Sequence, residues 1–167
     1  MLLKHSLLAL TCTLAAAGVA AAPSQGVSKD QITLGTIQDL SGPAASLGKQ
    51  LRMGMQLRVD EVNEQGGVNG RKINLKVEDS GFDPKRAVLA AQKLVNQDQI
   101  FAMVGHLGTA ANIAAFPVLF EKNVISFLPI AGAREMYEPL HRLKYSFAVP
   151  SYDQMRLALP RLAKEKG

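Results

Sequence analysis

Gly105-His106-Leu107-Gly108-Thr109 is the stretch of this chain best suited to holding a ligand. It follows Ile100 to Val104, a short apolar run of the kind that forms a strand buried on both faces, and precedes a helical segment from Thr109 to Glu121. A helix start presents N–H groups without intrahelical partners and about half a positive charge. Thr109 is expected to cap the helix with its hydroxyl, and glycine lets the backbone come close. Together they suit a carboxylate, which would accept two or three charge-assisted hydrogen bonds. A capped helix with nothing bound is the plainer reading of the same residues. Pro129-Ile130-Ala131-Gly132-Ala133 leaves the next apolar run, Val124 to Leu128. Its backbone groups are expected to be unpaired by the sheet and free to serve an ammonium and a carboxylate. A zwitterion would sit between these two loops, with Leu47 as an apolar wall. The candidate ligand-binding residues are Leu47, His106, Leu107, Gly108, Thr109, Ile130, Ala131 and Gly132.

Other chemistries lack their residues. The loop from Leu40 to Lys49 has no G-x-G-x-x-G, and Gly48-Lys49-Gln50 departs from a P-loop in register and in having Gln for Ser or Thr. There is no G-x-S-x-G elbow. The three His are His5, His106 and His141, too scattered for a metal cluster, and a single Cys makes neither an intrachain disulfide nor a thiolate zinc site. Asp39 and Asp79 could form a carboxylate pair; loop acids that cap helices or pair with Lys and Arg are the simpler reading. No catalytic residue, cofactor or metal is expected.

The elements that would carry these loops alternate. Gln31 to Ile37 reads as a strand, and 48–65 as a helix with apolar residues at Leu51, Met55, Val59 and Val62, stopped by Gly66-Gly67. Lys72 to Glu78 alternates with period two. Asp83-Pro84 starts a helix that ends near Asn96. The helix at 109–121 should kink at Pro117. Residues 131–142 read as a loop with one helical turn, Tyr145 to Val149 as a fifth strand, and Ser151 to Lys166 as a helix capped by Ser151 and disturbed at Pro160. This order implies an α/β fold, a doubly wound parallel sheet with helices on both faces. Ligands bind such sheets at the carboxyl ends of the strands.

Composition places the chain among globular proteins: 167 residues, 47% apolar and 20% charged, with 14 Gly and 8 Pro. The net charge of +5 comes from scattered Lys and Arg with acids nearby, with no basic run or aromatic interleaving, so no nucleic-acid partner is expected. Met1 to His5 carries Lys4, Ser6 to Val19 is uncharged, and Val19-Ala20-Ala21 offers small residues for cleavage. That is the pattern of a signal peptide over 1–21, the alternative being a membrane anchor, for which the run is short. The mature chain is then exported, to a periplasm, not embedded in the membrane, and free of Cys.

The combination of Ile32-Thr33-Leu34-Gly35 with Leu40-Ser41-Gly42-Pro43, Asp60 to Gly70, Asp83-Pro84-Lys85 and Val104 to Thr109 resembles the periplasmic substrate-binding proteins of ABC importers for branched-chain amino acids, from about residue 30 to the end of the chain. The resemblance implies a two-lobed type I periplasmic binding fold that closes on its ligand and docks on an importer permease. It implies an N-terminal lobe over 22–146, incomplete here, and a hinge strand with the first helix of a second lobe over 147–167. A fragment of this kind is expected to bind ligand weakly or not at all. Thr109 falls where the family places a carboxylate-binding Ser, Ile130 where a carbonyl takes the ammonium, and Leu47 where an aromatic residue packs on the ligand. Gly132 stands where the family usually has Thr, and Phe82 and Gly108 where some members have a pair of Cys. The ligand would be a branched-chain amino acid or a related amide or carboxylate. A sensing module of the same fold, or an exported α/β enzyme with its catalytic groups elsewhere, are the competing readings.

Overall fold

The computed structural model describes residues 24–166; the signal segment expected at 1–21 lies outside them. The elements are β1 (Gln31–Gln38), α1 (Ala45–Glu64), β2 (Lys72–Asp79), α2 (Pro84–Asn96), β3 (Ala102–Val104), α3 (Thr109–Glu121), β4 (Ile125–Phe127), a 3-10 turn (Arg134–Met136), β5 (Lys144–Tyr145) and α4 (Ser151–Lys166). All strand pairs are parallel, in the order β2-β1-β3-β4-β5. The expected alternation and parallel α/β sheet are both present. The chain steps one way from β1 to β2 and the other way from β2 to β3. This reversal opens a crevice above the carboxyl ends of β1 and β3, the usual ligand position in an open α/β sheet.

One face of the sheet carries a closed core. α2 buries Ala87, Ala90, Ala91, Leu94 and Val95 at helical spacing, and α3 buries Ala111, Ala115, Phe116 and Leu119. They pack with Ile37, Ile100 and Met103, each large aliphatic side chain contributing roughly 1.5–3 kcal/mol. α2 starts as its sequence dictates: the Asp83 carboxylate accepts the Arg86 N–H at 2.8 Å, and Pro84 occupies the first turn, where no N–H is needed. The opposite face carries α1. Its Leu51, Met55, Val59 and Val62 look toward Leu34, Ile73 and Leu75. α1 covers only part of that face: an open apolar groove of about 500 Å³ runs on past Val104, Phe127, Leu128 and Phe147. Helices thus lie on both faces, but only one face is closed.

Two expectations need correction at the far edge. The fifth strand is not Tyr145 to Val149; it is two residues, Lys144–Tyr145. The limit is its neighbour. β4 pairs Ser126 with Lys144 and Phe127 with Tyr145, and the Leu128 N–H donates to the Tyr145 carbonyl at 2.7 Å. Leu128 then turns away at φ +53, and Pro129 has no N–H, so nothing remains for Ser146 to Val149 to pair with. Ser151 is the first residue of α4 rather than its cap, and α4 buries none of its residues.

Candidate ligand-binding site

Two carboxylates hold the β1–α1 and β2–α2 loops above the crevice. Asp39 accepts the N–H groups of Gly42 at 2.5 Å and Ala44 at 2.6 Å, folding the β1–α1 loop onto itself. Asp79 bridges two loops. One oxygen accepts Leu40 N–H and Gly81 N–H at 2.8 Å each; the other accepts the Ser41 hydroxyl at 2.5 Å and Arg86 at 2.7 Å. Burial raises the Asp79 carboxyl, but the hydrogen bonds from Ser41, Leu40, Gly81 and Arg86 outweigh it and hold the group well below the usual carboxylate range. Asp39 and Asp79 therefore do not act as a carboxylate pair. Asp39 is taken up by two backbone N–H groups, and Asp79 is the loop acid paired with a cation that its setting suggested.

The start of α3 differs from the expectation in one respect. Thr109 does not cap it; the cap position is Gly108, at φ +99 and ψ 129, and no side chain caps the helix. That backbone conformation is one L side chains avoid, so Gly occupies it and Thr109 becomes the first helical residue. Its side chain is exposed, and its hydroxyl takes part in no hydrogen bond among the described residues. The first-turn N–H groups of Thr109, Ala110 and Ala111 have no intrahelical partner. A hydroxyl and three N–H groups are thus presented together at a positive helix end.

His106 and Leu107 are placed differently from their neighbours. The His106 ring is fully buried, its Nε2 is 3.2 Å from the Ser126 hydroxyl, and its Nδ1 has no partner among the described residues. Burial pushes its pKa down to about 3, so the ring stays neutral. Leu107 is buried too. Both belong to the packing as side chains, and their backbone sets the loop. Leu107 N–H donates to Ile37 carbonyl at 2.9 Å, and the His106 carbonyl accepts Ile130 N–H at 2.8 Å.

The loop after β4 is partly paired, contrary to expectation. The Ile130 carbonyl accepts Gly108 N–H at 3.3 Å, so Ile130 extends the ladder beyond the ends of β3 and β4. Its second lone pair remains. The Gly132 carbonyl accepts Ser151 N–H at 2.7 Å. Ala131 lies between, and its N–H and C=O join no hydrogen bond among the described residues. A Cβ on Gly132 would lie 2.5 Å from Ser151 Oγ, so α4 occupies the room that a larger residue needs there. Leu47 is half-exposed on the first turn of α1.

Sequence reasoning passed over Phe82 except as a counterpart of a Cys. The structure brings it to Gly108: a Cβ there would be 3.2 Å from Phe82 Cε2. Gly108→Ala would meet both a disfavoured φ and the ring. We expect it to cost roughly 1–3 kcal/mol of stability, checked by urea unfolding; an unchanged midpoint would mean the loop readily adopts another conformation. Among the described residues there is no group of three or more His, Cys, Asp and Glu able to hold a metal, and no helix long and apolar enough to cross a membrane.

An open parallel sheet, a switch point and donor-rich loops above it define the α/β fold that takes ligands at the carboxyl ends of its strands. The chain belongs to the periplasmic binding protein family, whose profile matches residues 31–167. It is 39% identical over 127 residues to the Leu/Ile/Val-binding protein BraC3 of Rhizobium johnstonii, covering 76% of this chain and 33% of that protein. It superposes on the branched-chain amino acid transporter substrate-binding protein LivJ of Streptococcus pneumoniae, solved with isoleucine, at a TM-score of 0.64 and 28% identity over 71% of this chain and 33% of that one. The fatty acid ABC transporter substrate-binding protein of Thermomonospora curvata gives a TM-score of 0.74 and 28% identity over 87% and 36%. These relatives are binding proteins, not enzymes. The chain spans about a third of the length of the relatives it matches.

Proposed function

We propose that this chain supplies the first ligand-contacting surface of an extracytoplasmic solute-binding protein that captures a small amino-acid-like carboxylate and delivers it to the permease of an ABC importer. The observation that carries the reading is the uncapped N-terminus of α3, with its free Thr109 hydroxyl, beside the unpartnered backbone groups of Ala131. The first is a set of donors for a carboxylate; the Ala131 carbonyl and the spare lone pair of Ile130 are acceptors for an ammonium. The named ligands of the relatives, Leu/Ile/Val in one and fatty acid in another, share a carboxylate joined to hydrocarbon. Export through a cleaved signal at 1–21 fits the same role.

Calorimetry on the complete gene product tests it, with L-leucine, L-isoleucine and L-valine against isoamylamine, which keeps leucine's amine and branched chain without the carboxylate. The amino acids should bind and isoamylamine should bind at least about 100-fold more weakly, since unpaired donors would face its missing group. Equal binding of leucine and isoamylamine would remove the carboxylate from the reading.

A further inference from the structure

The β2–α2 loop holds a large aromatic side chain in an unusual way. Gly81 and Phe82 both have positive φ, +56 and +61. A bulky residue is seldom found there, and Gly or Asn would sit in that conformation at less cost. The conformation is held from several sides. Ser80 N–H donates to the Gln38 carbonyl at 2.8 Å, Gly81 N–H to Asp79 at 2.8 Å, Phe82 N–H to the Ser80 hydroxyl at 3.2 Å, and Asp83 N–H to the Ser80 carbonyl at 3.0 Å. The result is a ring turned out of the core. Phe82 is 45% exposed, and one ring edge rests on Gly108, the residue that opens α3. Packing alone does not account for a phenylalanine with nearly half its surface in water at a position whose backbone favours glycine.

On the reading that α3 receives a ligand carboxylate, we propose that the Phe82 ring is the apolar wall beside it and selects ligands whose carboxylate carries a hydrocarbon side chain. The two features are adjacent because Gly108 is both the cap of α3 and the seat of the ring. Leu47, where the family resemblance places an aromatic contact, offers none, and Phe82 supplies an aromatic surface from the neighbouring loop instead. A flat apolar face next to N–H donors favours a ligand that can pair the donors and cover the ring at once.

Phe82→Ala, Phe82→Leu and Phe82→Asn in the complete gene product test this, titrated with L-leucine, L-isoleucine and L-phenylalanine, with melting temperature read alongside. Phe82→Ala and Phe82→Asn should weaken the tightest-bound of these about 10-fold or more, and Phe82→Leu, which keeps an apolar wall, by no more than about 3-fold. Phe82→Asn tolerates positive φ and should melt no lower than the parent while losing affinity; a purely structural role would move melting and affinity together. Affinities unchanged in Phe82→Ala and Phe82→Asn would overturn the assignment of Phe82 and leave the carboxylate site standing. A parent protein that binds none of the three amino acids would overturn both.

Discussion

Thr109→Ala in the complete gene product should weaken L-leucine binding about 10- to 150-fold, the equivalent of the roughly 1.5–3 kcal/mol carried by a hydrogen bond to a charged group. The residue is suited to a clean test. Its side chain is exposed and its hydroxyl bonds nothing among the described residues, so its loss leaves no protein partner unsatisfied. Alanine is also the better helix former at that position. Stability should therefore change by no more than about 0.5 kcal/mol, as for surface substitutions away from special features. Thr109→Ser keeps the hydroxyl and should bind within about 3-fold of the parent. Leucine binding unchanged in Thr109→Ala would take the hydroxyl out of the site and leave the carboxylate to the N–H groups alone.

How far the site could be read from the residues depended on whether its determinants were local. Asp83-Pro84 announces the start of α2 through chemistry within one turn, and the Asp83 cap is there. The order of alternating strand-like and helix-like segments implies a parallel sheet, and the sheet is parallel throughout. What failed depended on a partner elsewhere. Tyr145 to Val149 has strand composition, but its length is set by β4, which ends as Leu128 turns. Thr109 resembles a cap, yet the conformation at Gly108 decides where the helix begins. The loop sequence puts His106 among the candidate ligand-binding residues. His106 is instead drawn inward, with Ser126 of β4 beside its ring and Asn112 of α3 bonding its carbonyl at 3.3 Å. The backbone of Ile130 looked unpaired until the bridge to Leu107 claimed both its groups. Ala131 is left with neither backbone group bonded among the described residues, a result no side-chain pattern encodes.

The burial of His106 should also make the fold acid-sensitive. The ring's pKa falls from 6.5 to about 3 because burial penalises its charged form. Between those values the unfolded chain binds a proton at this ring and the folded chain does not, so the unfolded state gains as pH falls. The contribution to stability is complete above pH 6.5 and declines below it by about 1.4 kcal/mol per pH unit for the one proton. Asp79 adds to the loss only later. Its carboxyl is held below its ordinary 3.8, so its share is present above that value and lost as pH falls beneath it. Urea unfolding at steps from pH 7.5 to 4.5 should therefore show a decline that starts near neutrality. His106→Gln keeps a polar side chain near Ser126 without a titrating ring. It should lower stability at pH 7.5, since the ring fills buried space, but its curve should run flatter by one proton between pH 6 and 4.5. Parallel curves for parent and variant over that interval would mean that the ring takes up its proton in the folded state and that its environment is not closed to charge. A flatter curve in His106→Gln would tie the acid sensitivity to this residue. His106 lies two residues before Gly108 and its carbonyl accepts the Ile130 N–H, so the first local opening on acidification should loosen the loop that presents the donors of α3.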